Sequence, residues 1–160
     1  MSKAETTQHF SALRGWVERG NMLALTIHQP FAYQILLEDG HEQAKRVENR
    51  TWFPPRWMIG QRIVIHAGLG RQRLNYGDDV RWPLKFGAAL GTIRIAGALR
   101  KQPTGSPATG WDNDELPHGY EWLATHRHAE GPVCWVLEGP ELWPRAVECA
   151  GAQGLWRWKG

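Results

Sequence analysis

The sequence predicts an α+β fold, namely a small mixed β-barrel of five to six strands with peripheral helices. Its 160 residues, 42% hydrophobic and 22% charged, match a single domain with a packed core. Short β-rich runs recur along the chain and are separated by long connections rich in glycine and proline. Only one early segment inside the domain has clear helical spacing, so strands are expected to dominate.

An N-terminal extension and one helix precede most of the strands. Residues 1–21 are expected to lie outside the domain of residues 22–160 and could form a short helix with Trp16 on its apolar side. The segment HQPFAYQILLEDG predicts a helix, because Pro30 suits a first helical turn and Gly40 supplies a stop.

Six blocks of sequence have the apolar or β-branched content of strands. They are MLALTI, RVENRTW, RIVIHAG, AALGTIRIAGAL, VCWVLEG and RAVECAGAQGLWRW, the last giving two short strands around a glycine turn. Residues 71–87 are expected to be irregular or to hold a short helix. Residues 101–131 are rich in Pro, Gly, Ser, Asp and Asn, which predicts a long excursion with a helix around YEWLATHRH.

Membrane insertion and export are not expected from this sequence. It contains no apolar run of about 18 residues, and its N-terminus lacks the apolar core of a secretory signal. We therefore expect a cytoplasmic protein without a membrane partner. In that compartment Cys134 and Cys149 are expected to be buried thiols rather than a disulfide.

Positive charge is concentrated in the middle of the chain. Residues 45–101 carry twelve Lys or Arg and three acids, whereas residues 1–44 and 102–160 are net acidic. Such asymmetry indicates an anionic partner, nucleic acid first, although a solvated basic face without a ligand has the same composition. The ten tryptophans are expected to serve the core for the most part, and some would suit stacking on bases.

Six blocks in order resemble the ASCH domain, a family similar to the PUA-like group of RNA-binding barrels. The blocks are ALTIHQPFAYQILLEDG, KRVENRTW, RIVIHAG, ALGTIRI, CWVLEG and GAQGLWRW, and the resemblance runs from Met22 to the C-terminus. It implies a PUA-like barrel over residues 22–160 that binds RNA or a modified nucleotide base.

The family motif Gly-x-Lys-x-x-Glu-x-Arg is matched by Lys45, Glu48 and Arg50. Its glycine is displaced, because Gly40 stands five residues before the lysine rather than two. On a strand Glu48 and Arg50 would share one face, and we expect partly exposed side chains that line a basic cleft. Arg50 could hold a phosphate or base edge, Glu48 an exocyclic amine and Lys45 a phosphate. A structural salt bridge is the alternative for the same three residues.

Three further residues are candidates for the same ligand site. Gln29 stands before the expected helix, where it could meet an anion or simply cap the turn. His66 ends a strand beside a glycine loop and suits a base contact, a proton transfer or a structural role. Trp52 could stack on a base or belong to the core, whereas Trp156 is expected to close the barrel.

No cofactor or metal is expected. The segment HRHAEGPVC places His128, Glu130, Pro132 and Cys134 as in half of the zinc-deaminase signature, but the second half, Pro-Cys-x-x-Cys, is missing. As a His/Cys metal site the same segment lacks a fourth ligand.

Three functions fit these features. The first is a nucleic-acid-binding module that holds RNA or a single modified base. The second is a hydrolase on the same cleft, either a ribonuclease or an amidohydrolase of a modified nucleoside, with Lys45 as general base and Glu48 orienting it. The resemblance implies that amidohydrolase relatives carry a threonine at the position of Glu48. The third is a protein-interaction domain that uses a tryptophan-rich surface.

Overall fold

The computed structural model describes residues 3–74, 84–101 and 120–160. Its helices are α1 (Lys3–Glu18), α2 (Phe31–Ile35) and two 3-10 helices, Arg56–Met58 and Glu121–Ala124. Its strands are β1 (Leu23–Ile27), β2 (Val47–Arg50), β3 (Arg62–Ala67), β4 (Ala88–Arg100), β5 (Val133–Glu148) and β6 (Leu155–Arg157).

The six strands form one mixed sheet in the order β2-β5-β4-β3-β1-β6. Strand β1 runs parallel to β3 and antiparallel to β6, and β2 runs antiparallel to β5. The predicted α+β class, with a mixed sheet and helices, is therefore confirmed. The sheet is compatible with a small α+β barrel.

The chain divides into two compact units. The first consists of Met1–Ala44, Arg62–Ile93 and Pro140–Gly160, and the second of Lys45–Gln61 and Arg94–Gly139. Strands β4 and β5 each run from one unit into the other, because the divisions after Ile93 and Gly139 fall inside them.

The core of the first unit is built on β1 and β3. Both strands are buried on both faces, which explains their almost unbroken apolar sequences. A cluster of small residues, Ala24, Val64 and Ala89, packs against larger side chains, namely Met22, Trp143, Cys149, Trp156 and Trp158. Three of the ten tryptophans are thus used here to cover the sheet.

Helix α1 packs on the rest of the first unit through Leu13 and Trp16. Leu13 of α1 is buried, and Trp16 Nε1 donates a hydrogen bond of 2.8 Å to the Met22 carbonyl oxygen.

Strands β4 and β5 come so near at Gly91 that a Cβ there would lie 2.2 Å from the Glu141 carbonyl oxygen. Only glycine fits this position without moving the backbone.

The second unit has its own apolar cluster. Its buried members are Val47, Leu99, Leu123, Ala129, Cys134 and Val136. Both cysteines are free thiols, as expected, with Cys134 buried and Cys149 of the first unit only partly so.

Some elements differ from the sequence expectations. The blocks VCWVLEG and RAVE were expected to be separate strands, yet both belong to the sixteen-residue β5. Helix α2 is shorter than the segment HQPFAYQILLEDG, over which the sequence predicts a helix. Its last turn is closed by a hydrogen bond of 3.0 Å from the Leu36 backbone N–H to the Tyr33 carbonyl oxygen. The helix expected around YEWLATHRH is a 3-10 helix, and the remaining parts of both predicted excursions, 75–83 and 102–119, lie outside the described residues.

Candidate functional site

Strand β2 sets the orientation of the motif residues. It pairs with β5 so that Glu48 lies opposite Trp135 and Asn49 opposite Cys134. Val47 belongs to the apolar cluster of the second unit, so alternation along the strand places Glu48 and Arg50 together on the other face.

Lys45, Glu48 and Arg50 form an ion triad. Lys45 Nζ donates to Glu48 Oε2 at 3.1 Å and also to the Val47 carbonyl oxygen. Arg50 Nε makes an ion pair with the other carboxylate oxygen, Glu48 Oε1, at 3.3 Å. Both oxygens of the carboxylate thus face a cation, so the motif residues that sequence reasoning selected are brought together.

The ion triad is more buried than the sequence led us to expect. Lys45 is 5% exposed and Glu48 8%, so neither is the partly exposed side chain of an open cleft. Arg50 retains 22% of its side-chain exposure and is the member that reaches solvent. Charges buried to this degree lose hydration, and only close partners offset that loss. Removing one partner would therefore leave an uncompensated charge.

Trp52 packs beside the ion triad's strand. Its ring meets that of Trp135 edge to face, with centroids 4.9 Å apart, and Trp135 Nε1 donates to the Trp52 carbonyl oxygen at 3.1 Å. Trp135 is fully buried, whereas Trp52 is half-buried. Trp52 therefore has a packing role and keeps a part of its surface in solvent.

Asn49, which sequence reasoning did not select, ties β2 to residues 128–131. Its Nδ2 donates to the His128 carbonyl oxygen at 2.7 Å, and its Oδ1 accepts from the backbone N–H groups of Glu130 and Gly131 at 2.9 and 2.8 Å. The Cys134 thiol also lies 3.8 Å from Oδ1. Burial raises the pKa of this thiol, so Cys134 is a poor nucleophile near neutral pH.

His126, which sequence reasoning did not select, lies among cations of the second unit. Its Nδ1 accepts from the His128 backbone N–H at 3.2 Å, and its ring meets that of Trp122 at 5.0 Å. Burial lowers the pKa of His126, and the charges of Arg127, Lys101 and Lys45 lower it further. The signal in the sequence is the grouping of Trp122, His126 and Arg127 within the segment YEWLATHRH, for which only a helix is predicted from the sequence.

Gln29 has a structural role in the first unit. It is fully buried, its Nε2 donates to the Lys85 carbonyl oxygen at 2.8 Å, and its Oε1 accepts from the Tyr33 backbone N–H at 3.0 Å. The side chain therefore joins the start of α2 to residue 85, which corresponds to the turn-capping alternative.

His66 is likewise enclosed in the first unit. Its Nε2 lies 2.8 Å from the Cys149 carbonyl oxygen, so Nε2 carries the proton, and Nδ1 accepts from the Thr26 hydroxyl at 3.2 Å. Trp156 Nε1 donates in turn to Thr26 Oγ1 at 3.1 Å. A Cβ at Gly151 would lie 2.7 Å from the imidazole, so backbone closes over the ring. These contacts correspond to the structural alternative for His66.

The basic segment of the sequence is divided between the two units. Among the described residues of the second unit, Lys and Arg number eight and Asp and Glu four. Three of these cations are exposed, Arg56, Arg100 and Arg127. The Arg100 guanidinium lies 5.2 Å from the centre of the Phe53 ring.

Comparisons with known proteins add no family to this description. No protein-family model matches the chain, and no curated protein is similar to it. Within residues 3–74, 84–101 and 120–160, no helix has the length and apolar character needed to span a bilayer. The same ranges contain no group of three or more His, Cys, Asp or Glu side chains arranged to hold a metal ion.

Proposed function

We propose that the protein is an RNA-binding domain of the ASCH, PUA-like type and that its second unit holds the RNA. The observation that carries this proposal is the excess of cations in that unit, eight against four acids in its described part. Neutralisation of phosphates by such side chains supplies most of the affinity of nucleic-acid-binding proteins for a single strand.

The ion triad supports a role for Arg50 as a preorganised contact. Arg50 Nε forms an ion pair with Glu48 Oε1 at 3.3 Å, and the 22% of the Arg50 side chain that stays exposed can meet a phosphate or a base edge. Lys45 fixes the same carboxylate from its other oxygen. In this arrangement Glu48 and Lys45 position Arg50, and Arg50 contacts the ligand.

The bonding of Lys45 favours binding over hydrolysis. Its ammonium already donates to Glu48 and to the Val47 carbonyl oxygen, and little of it reaches solvent. A general base must approach the proton that it removes, within about 3 Å. The hydrolase alternative, with a ribonuclease or nucleoside amidohydrolase activity, therefore has less support than RNA binding.

Aromatic rings beside the cations are consistent with a single-stranded ligand. Trp52 is half-buried next to β2, and Phe53 lies under the Arg100 guanidinium. Bases of a single strand stack on such rings while the backbone follows the positive charges.

The test compares two arginine variants in fluorescence anisotropy with labelled single-stranded octauridylate at low salt. Arg50→Gln should weaken binding several-fold and reduce the dependence of affinity on salt by about one phosphate, a slope change of about 0.7. Arg145→Gln, which removes an exposed arginine from the first unit, is the matched control and should bind like wild type. Equal losses in both variants, or no loss in either, would exclude Arg50 as a contact.

A further inference from the structure

Trp122 is an exposed aromatic ring in the second unit. It lies on the 3-10 helix Glu121–Ala124 and is 37% exposed. Its edge-to-face contact with His126, at 74° and 5.0 Å, supports the ring from one side. An indole in this position offers an apolar surface to a planar group in solvent.

The neighbouring His126 has a defined tautomer. Because its Nδ1 accepts from the His128 backbone N–H, the neutral ring carries its proton on Nε2. The neutral imidazole therefore has its N–H donor at Nε2, and the same ring contacts the Trp122 ring. A second imidazole, that of His128, stands 5.4 Å away and is tilted by 60°.

The surroundings of His126 favour an anion. Among the described residues, Arg127, Lys101 and Lys45 are the charged groups that lower the pKa of this imidazole, and all three are cations. Arg127 is exposed, and Lys101 is anchored by a bond from Nζ to the Ala129 carbonyl oxygen. A phosphate placed here would be attracted by all three and could accept a hydrogen bond from Nε2.

We propose that Trp122, His126 and Arg127 form a nucleotide subsite, in which a base stacks on the Trp122 ring and its phosphate contacts His126 Nε2 and Arg127. This inference rests on the proposed function, since it names the place where one nucleotide of the bound RNA lies. It assigns a role to an exposed tryptophan and a histidine that the ion triad does not involve.

The experiment measures binding of labelled octauridylate to the full chain and to three variants. Trp122→Leu should weaken binding about tenfold, because it removes one base-stacking ring. Trp122→Phe keeps a ring and should restore most of the affinity, whereas Arg145→Gln in the first unit should not change it. Circular dichroism melting of each variant shows whether it is folded.

A second readout uses the imidazole itself. In proton NMR, saturating octauridylate should move the titration of His126 to higher pH, because a nearby phosphate favours the protonated ring. Loss of affinity in Trp122→Leu, rescue by Trp122→Phe and an upward shift for His126 support the subsite.

The contrary results separate the two proposals. If wild type binds RNA while Trp122→Leu binds equally well and His126 does not shift, the subsite is wrong and the RNA-binding function stands. If wild type does not bind octauridylate at low salt, both are wrong. If Trp122→Leu only changes self-association in sedimentation and leaves RNA affinity intact, Trp122 belongs to a protein contact and the subsite is again wrong.

Discussion

At the scale of single residues, Glu48 is the carboxylate that pairs with two cations, the buried Lys45 and the half-buried Arg50. Replacing it with glutamine keeps its shape and removes its charge, so Lys45 and Arg50 lose their common partner. We expect Glu48→Gln to lower the free energy of unfolding by about 3–5 kcal/mol, because an unpaired buried charge is costly. Urea unfolding at pH 7 measures this loss.

Glu138→Gln is the matched control for Glu48→Gln. It removes a carboxylate from an exposed ion pair with Arg94, 3.7 Å apart, in the same unit. Exposed pairs contribute about 0–1 kcal/mol, so this variant should be close to wild type in stability. Equal stability of the two variants would show that the ion triad is solvated in solution.

His126 gives stability a specific pH dependence. Burial, with the charges of Arg127, Lys101 and Lys45, holds its pKa below the ordinary value of 6.5, so the unfolded chain binds this proton more readily than the folded chain. The contribution of neutral His126 to the free energy of unfolding should be complete above pH 6.5. It should be lost as the pH falls through that value toward the lower pKa of the folded state. Unfolding free energies at pH 7.5 and 5.5 should therefore differ more for wild type than for His126→Gln. Identical differences would contradict the lowered pKa.

At the scale of elements, the side chain of Asn49 joins β2 to residues 128–131 through three backbone bonds. Asn49→Ala leaves two backbone N–H groups without their acceptor, and we expect a loss of about 1–3 kcal/mol. Hydrogen exchange at Glu130 and Gly131 should also become faster. Asn49→Asp, which keeps both accepted bonds, should protect these amides as in wild type, and unchanged exchange in Asn49→Ala would show that the bonds are not needed.

Helix α1 contributes to the first unit although the domain was expected to begin at residue 22. Leu13→Ala removes a buried side chain and should cost about 2–4 kcal/mol. Leu142→Ala, at a position that is 44% exposed, is the control and should change stability by about 0.5 kcal/mol or less. Deletion of residues 1–18 should lower the melting temperature and leave a folded chain. A deleted chain that does not fold would place α1 inside the domain.

Strands could be predicted from the sequence where their burial is uniform, and not where it changes along the strand. The apolar runs of β1 and β3 follow from burial on both faces. The sequence predicts separate strands in VCWVLEG and RAVECAGAQGLWRW, and β5 runs through Pro140 and Pro144, which lie between VCWVLEG and RAVE. Among the described residues, β2 pairs with β5 only as far as Val136, and prolines are tolerated where a strand has no neighbour on one side.

The candidate site could be predicted only in part, because spacing along a strand indicates which side chains share a face and not how deeply that face is buried. Spacing along a strand placed Glu48 and Arg50 on one face, and the structure has them there. Spacing gives no information on burial, so the enclosure of Lys45 was not foreseen. The partners of Gln29 and His66 are distant in sequence, and the contact of Trp122 with His126 depends on a 3-10 turn that no periodicity indicates.

At the scale of the whole molecule, charge is distributed unevenly, and the proposed RNA binding depends on where the cations lie. The net charge is only +3, yet the described part of the second unit has twice as many basic residues as acidic ones. An anionic polymer would be attracted to such a unit even though the protein as a whole is nearly neutral. The same charges would repel a basic partner.

The affinity of wild-type protein for octauridylate as a function of salt is the decisive measurement. If the second unit neutralises about three phosphates or more, a plot of log affinity against log salt should be linear with a slope of about −2 or steeper, since single strands give about −0.7 for each phosphate. Anisotropy titrations between low and physiological salt provide the plot. An affinity that does not depend on salt, or no binding at low salt, would contradict RNA binding by this protein.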